Sequence, residues 1–277
     1  MKFTSALTTI SVGVALAVAL SGCGGAAAEQ QAPSDRPAPA EGPTVVLVHG
    51  AFADASSWNG VIADLKRDGY PVIAVANPLR GLRSDADYVE SVLDSVPGPV
   101  VLAGHSYGGS VMSEAAVGHP NVKALVYIAS FILEPGESTS QLAGKFPGGQ
   151  LGPALDTVPF PLANGGTGND LYIKQDEFRR VFAADVAPEI TELLAATQRP
   201  ITDAALSEPA TEAAWKSIPS WNMVTTEDLA IPAESMRFMG ERAKSQTVEI
   251  AASHAVTVSH PAAVADLIVD AARSAVA

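Results

Sequence analysis

The residues with the clearest chemical potential lie in "VVLAGHSYGGSVMSEAA", residues 100–116. An apolar run stops at Gly104, Ser106 stands between Gly104 and Gly108, and the pattern resumes at helical spacing with Val111, Ala115 and Ala116 on one face. A serine on so tight a strand-to-helix corner projects its hydroxyl above the carboxyl edge of a sheet, where open sheets of alternating strands and helices bind ligands. Gly-x-Ser-x-Gly in that setting is a nucleophile elbow; without it, the same glycines would only connect two elements.

A serine hydroxyl attacks poorly until a base removes its proton. Of the five histidines, His105 adjoins the serine and leaves the corner in another direction. His119 reads as a solvated cap at the end of the following helix, His49 as a prop for the first loop, and His260 as a helix-terminus residue beside Pro261. His254 alone falls in a loop just after the last expected strand, so it is the candidate base. The base needs an acid to hold its tautomer. "TTEDLAIP" offers Asp228, four residues before Pro232, with Glu227 as the alternative. An oxyanion would be met by the backbone N–H of Tyr107, at a helix N-terminus, and by one from the "HGAF" turn, most simply Ala51.

These residues need a frame. "TVVLVHG", "YPVIAVAN", "PVVLAGH", "VKALVYIAS", "SWNMVTT" and "QTVEIAA" read as strands, several of them apolar on both faces. Between them lie helical spacings, one in "SDADYVESVLDSV" with Tyr88, Val92 and Val96 inward, and the last in "HPAAVADLIVDAARSAV". Such alternation implies an α/β fold, a mostly parallel sheet with helices on both faces. It breaks between about 131 and 218, where Pro, Gly and Asn clusters precede helical pieces around 176–185 and 188–197. No strand is expected there. The segment reads as a helical cap, whose Phe146, Phe160, Leu162, Tyr172 and Phe178 would line an acyl pocket or form the cap's own core.

Ahead of this domain, which spans 44–277, residues 1–22 have a basic start and an apolar stretch too short to span a bilayer, the pattern of a secretory signal. Leu20-Ser21-Gly22-Cys23 resembles a bacterial lipobox, making Cys23 the expected lipid attachment point; the alternative is plain secretion. Residues 23–43 read as a disordered tether. Cys23 is the single cysteine, so no disulfide is expected, and the formal charge of −13 argues against a nucleic-acid partner. "GHSYGGS" lacks the lysine of a phosphate loop, and no cofactor or metal motif is present. Oligomeric state is not legible.

"LVHGAFADASSW", "GHSYGG", "TTEDLAIP" and "ASHAVTVSHPAAVADLI" together resemble the α/β-hydrolase superfamily, in the branch of plant methylesterases, hydroxynitrile lyases and related bacterial esterases. The resemblance covers about 44–275 and implies Ser106 as nucleophile, Asp228 as acid and His254 as base. Those lyases have a hydroxyl residue after the first-strand histidine and a lysine after the catalytic one; this chain has Gly50 and Ala255 there, so it resembles the esterases. The expected activity is hydrolysis of a small carboxylic ester through an acyl-enzyme. The same scaffold also supports C–C or C–N cleavage and perhydrolysis, and a binding lipoprotein with an idle site is the non-enzymatic alternative.

Overall fold

A computed structural model describes residues 42–275. The signal segment, Cys23 and the tether up to residue 41 lie outside the described residues. The strands are β1 (Thr44–Val48), β2 (Val72–Val75), β3 (Val100–His105), β4 (Val122–Ile128), β5 (Leu155–Pro161), β6 (Thr167–Ile173), β7 (Ile201–Thr202), β8 (Ser220–Thr225) and β9 (Gln246–Ile250). The helices are α1 (Asn59–Arg67), α2 (Leu82–Asp94), α3 (Tyr107–Ala115), α4 (Thr139–Ala143), α5 (Gln175–Phe182), α6 (Pro188–Thr197), α7 (Asp203–Ser207), α8 (Ala233–Ala243), α9 (Val256–Ser259) and α10 (Pro261–Ala275).

Six strands form one sheet in the order β2-β1-β3-β4-β8-β9, and every pairing is parallel. The fold is that of an α/β hydrolase, and the six strands expected along the chain are the six of this sheet. The central strands are buried on both faces: Val45 to Val48 and Val100 to Ala103 have no exposed surface. Strand order reverses at β1, so the carboxyl ends of β1 and β3 border the crevice that such sheets use for ligands.

Between β4 and β8 the chain builds a second, three-stranded antiparallel sheet, β5-β6-β7, together with α4 to α7. This corrects the expectation of a cap without strands. The β5–β6 hairpin runs from Leu155↔Ile173 to Pro161↔Thr167. It is exposed or half-buried along most of its length, so no apolar alternation marks it, and Pro159 and Pro161 sit on an edge strand, where a missing donor is tolerated. The two helical pieces expected in this segment are α5 and α6.

A second correction concerns α2. Its buried face is Leu82, Asp85, Ala86, Val89 and Leu93; of the residues expected inward, Val96 is buried and Val92 half-buried, whereas Tyr88 is 44% exposed. The stripe has ordinary helical spacing, but a carboxylate sits in it, because Asp85 accepts a hydrogen bond from the buried Tyr107 hydroxyl at 2.9 Å.

Close approach of α3 to the sheet sets the position of the elbow. A Cβ at Gly104 would lie 2.7 Å from the Gly108 backbone, and one at Gly108 would lie 2.3 Å from the Val48 carbonyl oxygen. The Gly108→Ala variant should therefore lose about 1–3 kcal/mol by overpacking, a fall in Tm of roughly 2–10 °C for a domain of this size. Gly152, which has nothing within 4 Å of a built Cβ, is the control: Gly152→Ala should stay within about 0.5 kcal/mol in the same thermal melts.

Candidate active site

Ser106 has φ 55° and ψ −126°, left-handed backbone that a residue with a side chain adopts only when its surroundings enforce it. The enforcement is visible. The Ser106 N–H donates to the Ile128 carbonyl at 3.2 Å, and the Ser106 carbonyl accepts from Ser130 Oγ at 2.6 Å and from the Gly109 N–H at 3.0 Å. Thus β4 and the start of α3 grip the peptide groups on either side of the serine.

The candidate acid and base come from the loops after β8 and β9. His254 Nδ1 lies 2.7 Å from Asp228 Oδ2. That carboxylate also accepts from Thr225 Oγ1 at 2.9 Å and from the Ala230 and Ile231 N–H groups at 2.8 Å each. The four donors fix its plane. Neither Asp228 nor His254 is appreciably exposed, whereas Glu227 points to solvent, so the structure pairs the first of the two candidate acids with the histidine. Thr225 and the two backbone donors are partners that sequence reasoning did not identify.

Ser106, His254, Ala51 and Tyr107 border one cavity of about 60 Å³. Its other walls come from Phe52 in the turn after β1, from Ala230 and Ile231 beyond Asp228, and from the segment after β4: Phe131, Thr139, Ser140, Ala143, Leu151 and Leu206. None of the five cap residues expected as a lining or as cap core lines this cavity, and of the two alternatives Phe178 takes the second. Phe178 is fully buried with its ring 5.0 Å from that of Phe182. Phe146 packs on Phe238, Phe160 lies under the Arg80 guanidinium, and Leu162 is exposed. Tyr172 borders a separate open groove of about 300 Å³ on the cap, together with Asp156 and Lys174.

The N–H groups of Ala51 and Tyr107 have no backbone acceptor among the described residues, while the next N–H in the turn, that of Phe52, donates to the Arg199 carbonyl at 3.0 Å. Gly50 is confined by the elbow: a Cβ there would lie 2.6 Å from Ser106 Cβ and 2.7 Å from the His105 carbonyl oxygen. Ala255 is buried, facing a small apolar cavity shared with Phe182 and Val258 rather than the one beside Ser106.

The remaining histidines are accounted for. His105 Nε2 donates to the His254 carbonyl at 2.8 Å, which leaves its buried Nδ1 without a partner. His49 Nδ1 donates to the Gly50 carbonyl at 2.9 Å, and its Nε2 is likewise unpartnered. Burial pushes the His49 imidazole down to about 4 and the His105 imidazole down to about 3, with the nearby His254 ring adding to the second shift. His119 is less solvated than expected, Nε2 lying 3.2 Å from Asp94 Oδ1. His260 caps α9, as a terminus residue, with Nδ1 2.9 Å from Ser259 Oγ. Among the described residues no group of three or more His, Cys, Asp or Glu could hold a metal ion.

Residues 45–267 match the alpha/beta hydrolase family. The chain belongs to that family. Among curated relatives it is 27% identical over 259 residues to alpha/beta hydrolase nvfD of Aspergillus novofumigatus, covering 84% of this chain and 98% of the relative. It is 29% identical over 215 residues to methylesterase 1 of Arabidopsis thaliana, covering 70% of this chain and 81% of that one. Among solved structures, polyneuridine aldehyde esterase superposes with a TM-score of 0.72 at 22% identity, over 83% of this hydrolase and 99% of that chain, a likeness of fold.

The two buried imidazoles give this hydrolase a definite acid sensitivity. Each has a folded-state pKa below its unfolded value, so the unfolded chain binds more protons between them, and stability is lost as pH falls from about 6.5 toward 4. Urea midpoints at pH 5 should lie below those at pH 7.5, with about two protons taken up on unfolding near pH 5 from these residues. A His49→Gln, His105→Gln double variant should show a flatter profile.

Proposed function

We infer that the enzyme hydrolyses small carboxylic esters through an acyl-enzyme on Ser106. The observation that carries this is the strained Ser106 corner opening on the same cavity as His254, whose Nδ1 is bonded to Asp228. His254 Nε2 takes the Ser106 proton as Oγ attacks the ester carbonyl, and Asp228 holds the Nδ1–H tautomer and stabilises the imidazolium. The Ala51 and Tyr107 N–H groups receive the oxyanion, assisted by the N-terminus of α3. As the tetrahedral intermediate collapses, His254 returns its proton to the departing alkoxide. It then activates the water that releases the acid and frees Ser106.

Ester chemistry is supported by relatives named as esterases, including methylesterase 1. The cavity supports a compact substrate: its walls are mostly Ala, Leu, Ile and Phe, with no Lys or Arg to receive a second carboxylate. Gly50 and Ala255 bring to the site neither of the polar side chains that mark the lyases of the resembling branch.

The Ser106→Ala variant should keep its far-UV circular dichroism while losing ester hydrolysis and fluorophosphonate labelling by several orders of magnitude, since such groups act as a unit. Near-wild-type turnover in it would refute the nucleophile. Asp228→Asn should cost about as much as loss of the base, and Glu227→Gln less than twofold, in kcat/KM on the same ester.

The proposed setting is the outer side of a bacterial membrane, through lipid on Cys23. Its support is the Leu20-Ser21-Gly22-Cys23 pattern behind a short apolar stretch. No described helix is long and apolar enough to cross a membrane. Mass spectrometry of the mature N-terminus should find acylated Cys23, and Cys23→Ala should release the enzyme or leave its precursor uncleaved, with unchanged kinetics on soluble esters. An unmodified Cys23 would make it a secreted enzyme.

A further inference from the structure

His254 stands on a loop beyond β9, and β9 is the edge of the sheet. Among the described residues no further strand flanks it on the outer side, and it lies three strand spacings from β3, about 14 Å. The sheet side of the loop is pinned as far as Ala252, whose carbonyl accepts the Glu227 N–H at 3.2 Å. From there the backbone donors on either side of His254 turn to the segment that follows α5. The Ala255 N–H donates to the Phe182 carbonyl at 2.9 Å. The Ser253 N–H donates to Asp185 Oδ2 at 3.1 Å, and Ser253 Oγ makes a short hydrogen bond to Asp185 Oδ1 and a longer one, 3.3 Å, to the Phe182 carbonyl. The Phe182 ring meets the His254 ring edge-on, with centroids 4.8 Å apart.

We propose that Asp185 is a positioning residue for His254, holding the imidazole, through Ser253, at the cavity that it shares with Ser106. Asp185 touches neither reacting atoms nor the cavity; it acts through the peptide before the base. Partial burial works to raise the Asp185 carboxyl, but the hydrogen bonds from Ser253 and Ser259 outweigh it and hold it below the ordinary Asp value, so the acceptor is anionic at neutral pH. His260, the C-cap of α9, also lies near it, with Nδ1 at 3.5 Å. A small tilt of a general base takes its nitrogen out of line with the serine proton, and displacements of this order reduce rates sharply.

This assignment rests on Ser106 and His254 acting as proposed above, and the test separates the two. In the full-length protein, the second-order rate of Ser106 labelling by a fluorophosphonate requires the base, and dividing it by the folded fraction read from circular dichroism at the same temperature removes the effect of stability. Asp185→Ala should slow labelling about tenfold; on a methyl ester kcat should fall by a similar factor with KM within twofold. Asp185→Asn, which keeps an acceptor for the Ser253 N–H, should recover at least half of the loss on a logarithmic scale. Labelling of Asp185→Ala at the wild-type rate overturns the assignment, as does an Asn variant no faster than Ala. Slowed labelling in a protein that hydrolyses no ester would leave the assignment standing and remove the ester reading. A wild-type protein that never labels would remove both.

Discussion

A hydroxyl group can stand clear above a sheet only where the backbone beneath it is bent against its own preference. Ser106 is held at a positive φ, a conformation worth about 1–3 kcal/mol of strain that persists only if its neighbours over-determine it. Here the neighbours are the Ile128 carbonyl, Ser130, and a helix pressed so close to β1 and β3 that Gly104 and Gly108 leave no room for a methyl group. The packing of the central sheet and the geometry of the candidate nucleophile are one constraint.

The segment between β4 and β8 does more than cover the crevice. Each of the loops around the site is tied to it by main chain: Phe52 to the Arg199 carbonyl, the Leu229 carbonyl to the Gln150 N–H, and residues 253 and 255 to Asp185 and Phe182. On the nucleophile side, Arg80 links the same segment to the elbow. Its guanidinium reaches Asp170 on β6 at 2.6 Å and the Pro200 carbonyl at 2.9 Å, while its N–H lies 3.1 Å from Asp85, which holds the Tyr107 hydroxyl. Burial raises the Asp85 carboxyl, and leaving such a group without its donors would be costly. The site is thus framed from both sides, by the sheet and by what lies over it.

Much of this was legible in residue types and their order. The strands around Ser106 are continuous apolar runs, and a chain order of serine, acid and histidine at strand ends needs no long-range information. The inward face of α2 was legible only in part: Val92 and Val96 turn inward, but Asp85 sits within the buried stripe and the expected face was drawn toward Tyr88. The β5–β6 hairpin was not legible, because it is too exposed to carry an alternating pattern. The cavity walls were hidden for another reason. Phe131, Leu151, Leu206 and Ile231 are far apart in sequence and meet only after folding, so the aromatic residues that stand out in the cap were the wrong candidates for lining. The brace on His254 depends on a carboxylate 69 residues upstream, with no motif linking the two.

The clearance at Gly50 bears on how this chain could diversify. Lyases in the resembling branch differ at this position by a hydroxyl side chain, a single codon-level step on paper. In this protein the first carbon of any such side chain would fall 2.6 Å from Ser106 Cβ. The turn after β1 would have to shift before the new group could be tolerated, and the same turn bears Ala51 and the tie from Phe52 to Arg199. A drift toward the other chemistry therefore begins with a backbone rearrangement, whereas the side chains that shape the cavity can vary without one.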